Sequence, residues 1–212
     1  MPPKFESPYV IIVSHPRSGT HVLESCLASH PKIYKRSECV LRYKQLAAQK
    51  KLHRSTHNQR IFTNLAGHVN IAIVMYAELP LFEQLCGPIS RVKVIHLLRN
   101  PEAVARSFAQ WDANKAKYGS KARAHFKISE TPPANAPYAE ESIPALTREV
   151  KKLQDRHKTL FARHLSALTI AYEEFTGNRQ VGHLPEKFCQ KILGFIGLAP
   201  HPLTCDLRKT AS

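Results

Sequence analysis

The 212-residue chain is long enough for one domain with a buried core and a cleft, which excludes a small stapled scaffold. Its 31 Lys and Arg against 16 Asp and Glu, net +15, mark a protein that meets anions: nucleic acid, anionic lipid, or a phosphorylated or sulfated small molecule. A hydrophobic content of 43% excludes a disordered chain, and the longest apolar stretch, around VNIAIVMYA, is too short to span a bilayer.

The opening MPPKFESP lacks the apolar core of a signal peptide. The five cysteines, Cys26, Cys39, Cys86, Cys189 and Cys205, are odd in number and hold no Cys-x-x-Cys pair. That argues against a zinc site and a disulfide framework and favours a reducing compartment, so a soluble, cytoplasmic protein is expected.

The first element is an apolar run, YVIIVS at 9–14, read as a buried strand. It runs into HPRSGTH and a helix predicted from about Ser18 to Ser29. Backbone N–H groups at a helix start lack partners and bind anions readily. Gly19 permits close approach, Ser18 and Thr20 add hydroxyl donors, and Arg17 adds a permanent charge with a fork of donors. Taken alone, this is also what an ordinary turn capped by Ser18 looks like.

A short strand follows at 32–36, then a basic stretch. Residues 32–60 hold nine Lys or Arg and a single acid, Glu38. Further strands are predicted at 68–76 and 91–98. The latter ends at Arg99, where Asn100 and Pro101 supply an N-cap and a first helical residue. Ser107 lies eight residues beyond Arg99, about two helical turns, a spacing at which the two side chains can pinch one phosphate, although each alone also reads as a surface or capping group.

Residues 112–143, with Pro132, Pro133 and Pro137, read as a long irregular loop. Leu146, Val150, Leu153, Leu160, Phe161 and His164 recur at helical spacing over 144–164. A strand at 167–172 and a helix from Pro185 complete the pattern. Strand–helix alternation predicts an α/β fold: one domain over 1–212, a P-loop-like parallel sheet of about five strands flanked by helices on both faces. Ligands in such folds bind at the carboxyl ends of the strands, where the Arg17–Thr20 loop lies. His15, His68 and His96 lie in or beside strands and read as core or edge histidines.

Two other classes compete. A small-molecule kinase would want Gly-x-x-x-x-Gly-Lys-Ser/Thr and an acidic residue at a strand end, whereas the fourth strand ends in Leu98-Arg99. A basic module that binds RNA or an anionic surface accounts for the charge but not for the paired stretches. No aromatics interleave with the basic clusters as a base-stacking platform requires.

The paired stretches carry a resemblance. PRSGTH resembles the 5′-phosphosulfate loop of sulfotransferases that use 3′-phosphoadenosine-5′-phosphosulfate (PAPS). RNPEAVARS is similar to their 3′-phosphate motif, and LTIAYEEF followed by ILGFIGL looks like the C-terminal strand, turn and helix of that family. The resemblance implies sulfuryl transfer from PAPS without a metal, to a small-molecule, glycan or lipid acceptor that the sequence does not identify. Arg17, Ser18, Gly19, Thr20 and His21 would hold the phosphosulfate, and Arg99 and Ser107 the 3′-phosphate. Arg208 and Lys209 would fold back onto that same phosphate.

In the branch of bacterial-type, carbohydrate and tyrosylprotein sulfotransferases, a catalytic glutamate follows the first helix. The matching residue is Glu38, twenty-one residues after Arg17. His21 stands where relatives often have a second Thr or Ser, as a contact to the sulfuryl group, a second base or a cap. Lysine is missing from the third strand, and a C-terminal glycine-rich phosphate loop is missing too. Acceptor specificity is expected in a loop at 39–67 and in 112–143.

Overall fold

The computed structural model describes residues 9–48, 63–118, 142–164, 166–176 and 182–205. Its centre is β1 (Val10–Ser14), five consecutive buried residues. β1 pairs in parallel with β3 (Val69–Met75) on one side and β4 (Lys93–Leu98) on the other. β2 (Ile33–Ser37) adds beyond β3 and β5 (Ala167–Ala171) beyond β4, so the order is β2-β3-β1-β4-β5, all parallel. The five expected strands therefore all form.

Strand periodicity divides the core in two. Val10 and Ile12, with Ile71, Ile95 and Leu97, face one side. They are covered by α1 (Thr20–Leu27) and by a C-terminal helix at Glu186–Ile196. Ile11 and Val13, with Ala72, Val74 and Val94, face the other. There α2 (Cys39–Ala48), α3 (Leu79–Cys86) and the end of a long helix at Ile143–Ala162 supply Val40, Phe82, Leu85 and Phe161. We number the remaining elements α4 (Pro101–Tyr118), α5 (Ile143–Ala162), α6 (Tyr172–Thr176), β6 (Gly182–His183), α7 (Glu186–Ile196) and β7 (Thr204–Cys205). β6 and β7 form a small antiparallel pair apart from the main sheet. No described helix is long and apolar enough to cross a membrane.

Three expectations need correction. The irregular stretch expected over 112–143 is shorter, because α4 runs on to Tyr118 and α5 begins at Ile143. Ala113, Lys115, Ala116 and Lys117 are good helix formers that carry α4 onward. Residues 119–141 lie outside the described part. Residues 39–48 are a helix rather than a loop, hidden in the sequence because only Cys39 and Val40 of α2 are buried. Cys26, on the core face of α1, is disulfide-bonded, so the reading against disulfides fails at that position.

The connection leaving β1 travels towards β2, whereas that leaving β4 travels towards β5. Adjacent strands whose connections part in opposite directions leave a crevice at their carboxyl ends. Both anion-binding stretches read from the sequence start there.

Candidate active site

Residues 15–19 turn from β1 into α1. Arg17 takes a left-handed backbone, φ +68, and Gly19 follows at φ +90. The Gly19 position is constrained twice. A side chain there would be strained by the backbone angle, and its Cβ would overlap the ring edge of Tyr172. Ser18 is fully buried, and its Oγ has no hydrogen-bond partner among the described residues. A buried hydroxyl in that condition is costly unless something else satisfies it. A polar ligand at the loop would satisfy it.

Arg99, at the end of β4, donates from Nη1 to the carbonyl of Arg17 at 2.9 Å. Its guanidinium lies over the Tyr172 ring, 4.5 Å from the centroid. Gln154 of α5 donates to the Arg99 carbonyl at 2.9 Å, and Glu173 accepts the Asn100 N–H at 3.0 Å. The strand end is thus clamped from two other elements. Asn100 Oδ1 accepts the N–H groups of Glu102 and Ala103, at 2.9 and 3.2 Å, as the cap read from the sequence requires.

Arg17 turns towards α4. Its Nε donates to Ser107 Oγ at 3.3 Å, and its guanidinium sits 5.2 Å from the Trp111 ring centroid. Burial, and then the charge of Arg99, push the Arg17 guanidinium below its usual pKa. Two cations held this way favour an anion between them. Arg17, Arg99 and Ser107, read as belonging to two separate phosphate contacts, form one continuous donor cluster here.

Glu38 stands between β2 and α2, and its carbonyl accepts the N–H of Arg42 at 3.0 Å. Its carboxylate is one-quarter exposed and accepts a hydrogen bond from His21 Nε2–H at 3.1 Å. His21 lies on the first turn of α1, next to Thr20. On its other side Glu24 Oε2 is 3.9 Å from Nδ1, an ion pair rather than a hydrogen bond. Between Glu24 and Glu38 the imidazole is pushed up to about 9 and stays protonated near neutral pH.

Of the residues singled out in the sequence, Arg17 through His21, Glu38, Arg99 and Ser107 all lie at the carboxyl end of the sheet. Arg208 and Lys209 lie outside the described residues. The sequence reading missed Glu24, Trp111 and Gln154. Glu24 had a signal, since it lies three residues after His21 on the same helix. Trp111 and Gln154 had none, because they come from helices remote in sequence from Arg17 and Arg99.

The donors fit the phosphosulfate and 3′-phosphate groups that the sequence resemblance implies. The orphaned Ser18 hydroxyl and the loop at Gly19, which has room for no side chain, are the features that fit best.

No protein-family model matches the chain, and no curated protein matches it by sequence. Solved structures do. A sulfotransferase from Alicyclobacillus acidocaldarius superposes with a TM-score of 0.57, over 94% of this chain and 84% of that one, at 16% identity. The sulfotransferase domain from the curacin biosynthetic pathway gives a TM-score of 0.55, over 98% and 83%, at 18% identity. With its five parallel strands in the order 2-3-1-4-5 and helices on both faces, this chain has the sulfotransferase fold.

Proposed function

We propose that the protein is a sulfotransferase that moves the sulfuryl group of PAPS to a hydroxyl or amine of a small-molecule, glycan or lipid acceptor. The observation that carries this reading is the convergence of Arg17, Arg99 and Ser107, from three elements, beside a Ser18 hydroxyl that is buried without a partner among the described residues. When bound, the donor supplies a sulfuryl group already activated by its 5′-phosphate.

The protein's part is positioning and electrostatics, as in phosphoryl transfer. The backbone at Gly19 and Thr20, with the Ser18 and Thr20 hydroxyls, holds the anionic end. Arg17 places a fixed charge where negative charge develops on the leaving oxygen, and as a guanidinium it does not give up its proton. Arg99 and Ser107 grip the 3′-phosphate that distinguishes this donor from ATP. Glu38 takes the proton from the acceptor as its oxygen or nitrogen bonds to sulfur. The proposal includes membership of the bacterial-type, carbohydrate and tyrosylprotein branch, supported by the spacing of Glu38 twenty-one residues after Arg17.

Calorimetric binding of 3′-phosphoadenosine-5′-phosphate (PAP) beside ADP, without magnesium, tests the reading. A tenfold or greater preference for PAP is expected. Arg99→Ala removes a charge-assisted contact of about 1.5–3 kcal/mol, and so weakens PAP by about ten- to a hundredfold while leaving ADP nearly unaffected. An Arg99→Ala protein that binds PAP as tightly as wild type would sink the assignment.

A further inference from the structure

The proposed chemistry leaves one deeply buried charge in the site unused. The Glu24 side chain is 2% exposed, and a carboxylate so placed needs partners for both oxygens. It finds them in a single residue. The Ser37 N–H donates to Oε1 at 2.8 Å, and the Ser37 hydroxyl donates to Oε2 at 3.1 Å.

Ser37 is where β2 stops being regular. The pairing with β3 slips between Lys35 and Ser37, and Ser37 takes a left-handed backbone, φ +51. Slips of this kind re-aim side chains next to active sites. A left-handed non-glycine residue is strained and persists only where its surroundings hold it. The residue it carries next is Glu38. Glu24 also faces His21, whose other nitrogen donates to Glu38. The contacts close a ring: Glu24 to Ser37, along the backbone to Glu38, across to His21, and back to Glu24.

We propose that Glu24 is a positioning residue for Glu38, locking the irregular turn that carries it and orienting the imidazole that grips it. The proposal rests on Glu38 being the base. The charged groups facing His21 are Glu24 from its own helix and Glu38 from the junction of β2 and α2. A protonated imidazole between them donates to Glu38 from Nε2, turns its charged Nδ1–H side to Glu24, and has no lone pair to offer another donor.

The test compares wild type with Glu24→Gln, which keeps volume and an acceptor for the Ser37 N–H but removes the charge. NMR titration of the His21 ring should shift from about 9 in wild type towards its ordinary value in the variant. Release of labelled sulfate from PAPS, with water as acceptor, is the kinetic readout. There the water oxygen bonds to sulfur, the sulfur–oxygen bond to PAP breaks, and the water proton passes to Glu38. Glu24→Gln should lower kcat by about ten- to a hundredfold, with the KM for PAPS and the affinity for PAP unchanged.

Adding Ser37→Gly, which adopts the left-handed angle unaided, should recover part of that loss. An unmoved His21 titration or an unchanged kcat in Glu24→Gln overturns the proposal, whereas a residue that only supported the fold would lower the unfolding midpoint without moving the titration. Should Glu24→Gln fail to fold, Ser37→Ala takes its place, and an unchanged kcat there also overturns the proposal. Sulfate release at the wild-type rate by Glu38→Gln would overturn the base assignment instead, and the His21 titration would still judge the clamp.

Discussion

At the scale of the residue, the site depends on a few positions whose chemistry has no substitute. Gly19 is one. Alanine there meets both an unfavourable backbone angle and the Tyr172 ring, so Gly19→Ala should lose about 2 kcal/mol or more of stability, together with PAP binding. Chemical denaturation and calorimetry on the same preparation check both outcomes, and a stable variant that binds PAP normally would mean that Tyr172 moves aside at no cost. His21 sets a pH dependence. Its folded pKa is raised to about 9, so the stability it contributes is fully present below its ordinary value of about 6.5 and is lost as pH rises towards 9. The advantage of wild type over His21→Gln in thermal midpoint should therefore shrink between pH 6.5 and 9, and an advantage that stays constant across that range would argue against the carboxylate pair around His21.

At the scale of the element, local signals explain why each piece forms, and packing explains why it stays. Asn100 caps α4, its Oδ1 accepting two backbone N–H groups. Asn100→Ala should cost about 1 kcal/mol. Phe82 of α3 is fully buried against the face of the sheet that holds Ile11 and Val13, and its truncation to alanine should cost about 3–5 kcal/mol. Urea unfolding measures both. A loss at Phe82 no larger than at Asn100 would show that α3 repacks over the sheet. The strands were legible in the sequence because β1, β3 and β4 are nearly continuous apolar runs, the mark of a parallel strand buried on both faces. α2 was not, because a helix that buries only two residues leaves no apolar stripe to read.

At the scale of the whole molecule, buried histidines set the acid side of stability. His96 is fully buried on β4 with Nε2 2.7 Å from the Tyr76 hydroxyl, and Tyr76 stacks in turn on His157 at 3.9 Å between ring centroids. Burial, and then the charge of His157, lower His96 to about 4. Its contribution is present above about pH 6.5 and is lost as pH falls towards 4, because the unfolded chain binds the proton more readily. Together with His21 this places maximum stability near neutral pH. Thermal midpoints measured from pH 4 to 9 should fall on both sides, and a midpoint still rising at pH 9 would contradict the His21 assignment.

What the sequence by itself determined is local: where apolar runs make strands, where Asn100-Pro101 begins a helix, and which loop has the small residues and the arginine that suit an anion. Each depends on neighbours within about ten residues, so periodicity and capping are enough to see it. The tertiary structure alone decided what meets across the sheet. It set Arg17 on Ser107, ninety residues away, bound Arg99 to the Arg17 carbonyl, and closed Glu24, Ser37, Glu38 and His21 into one ring. Those contacts depend on strand order and on a one-residue slip at the end of β2, and no local pattern encodes either, because both arise from how the whole chain packs.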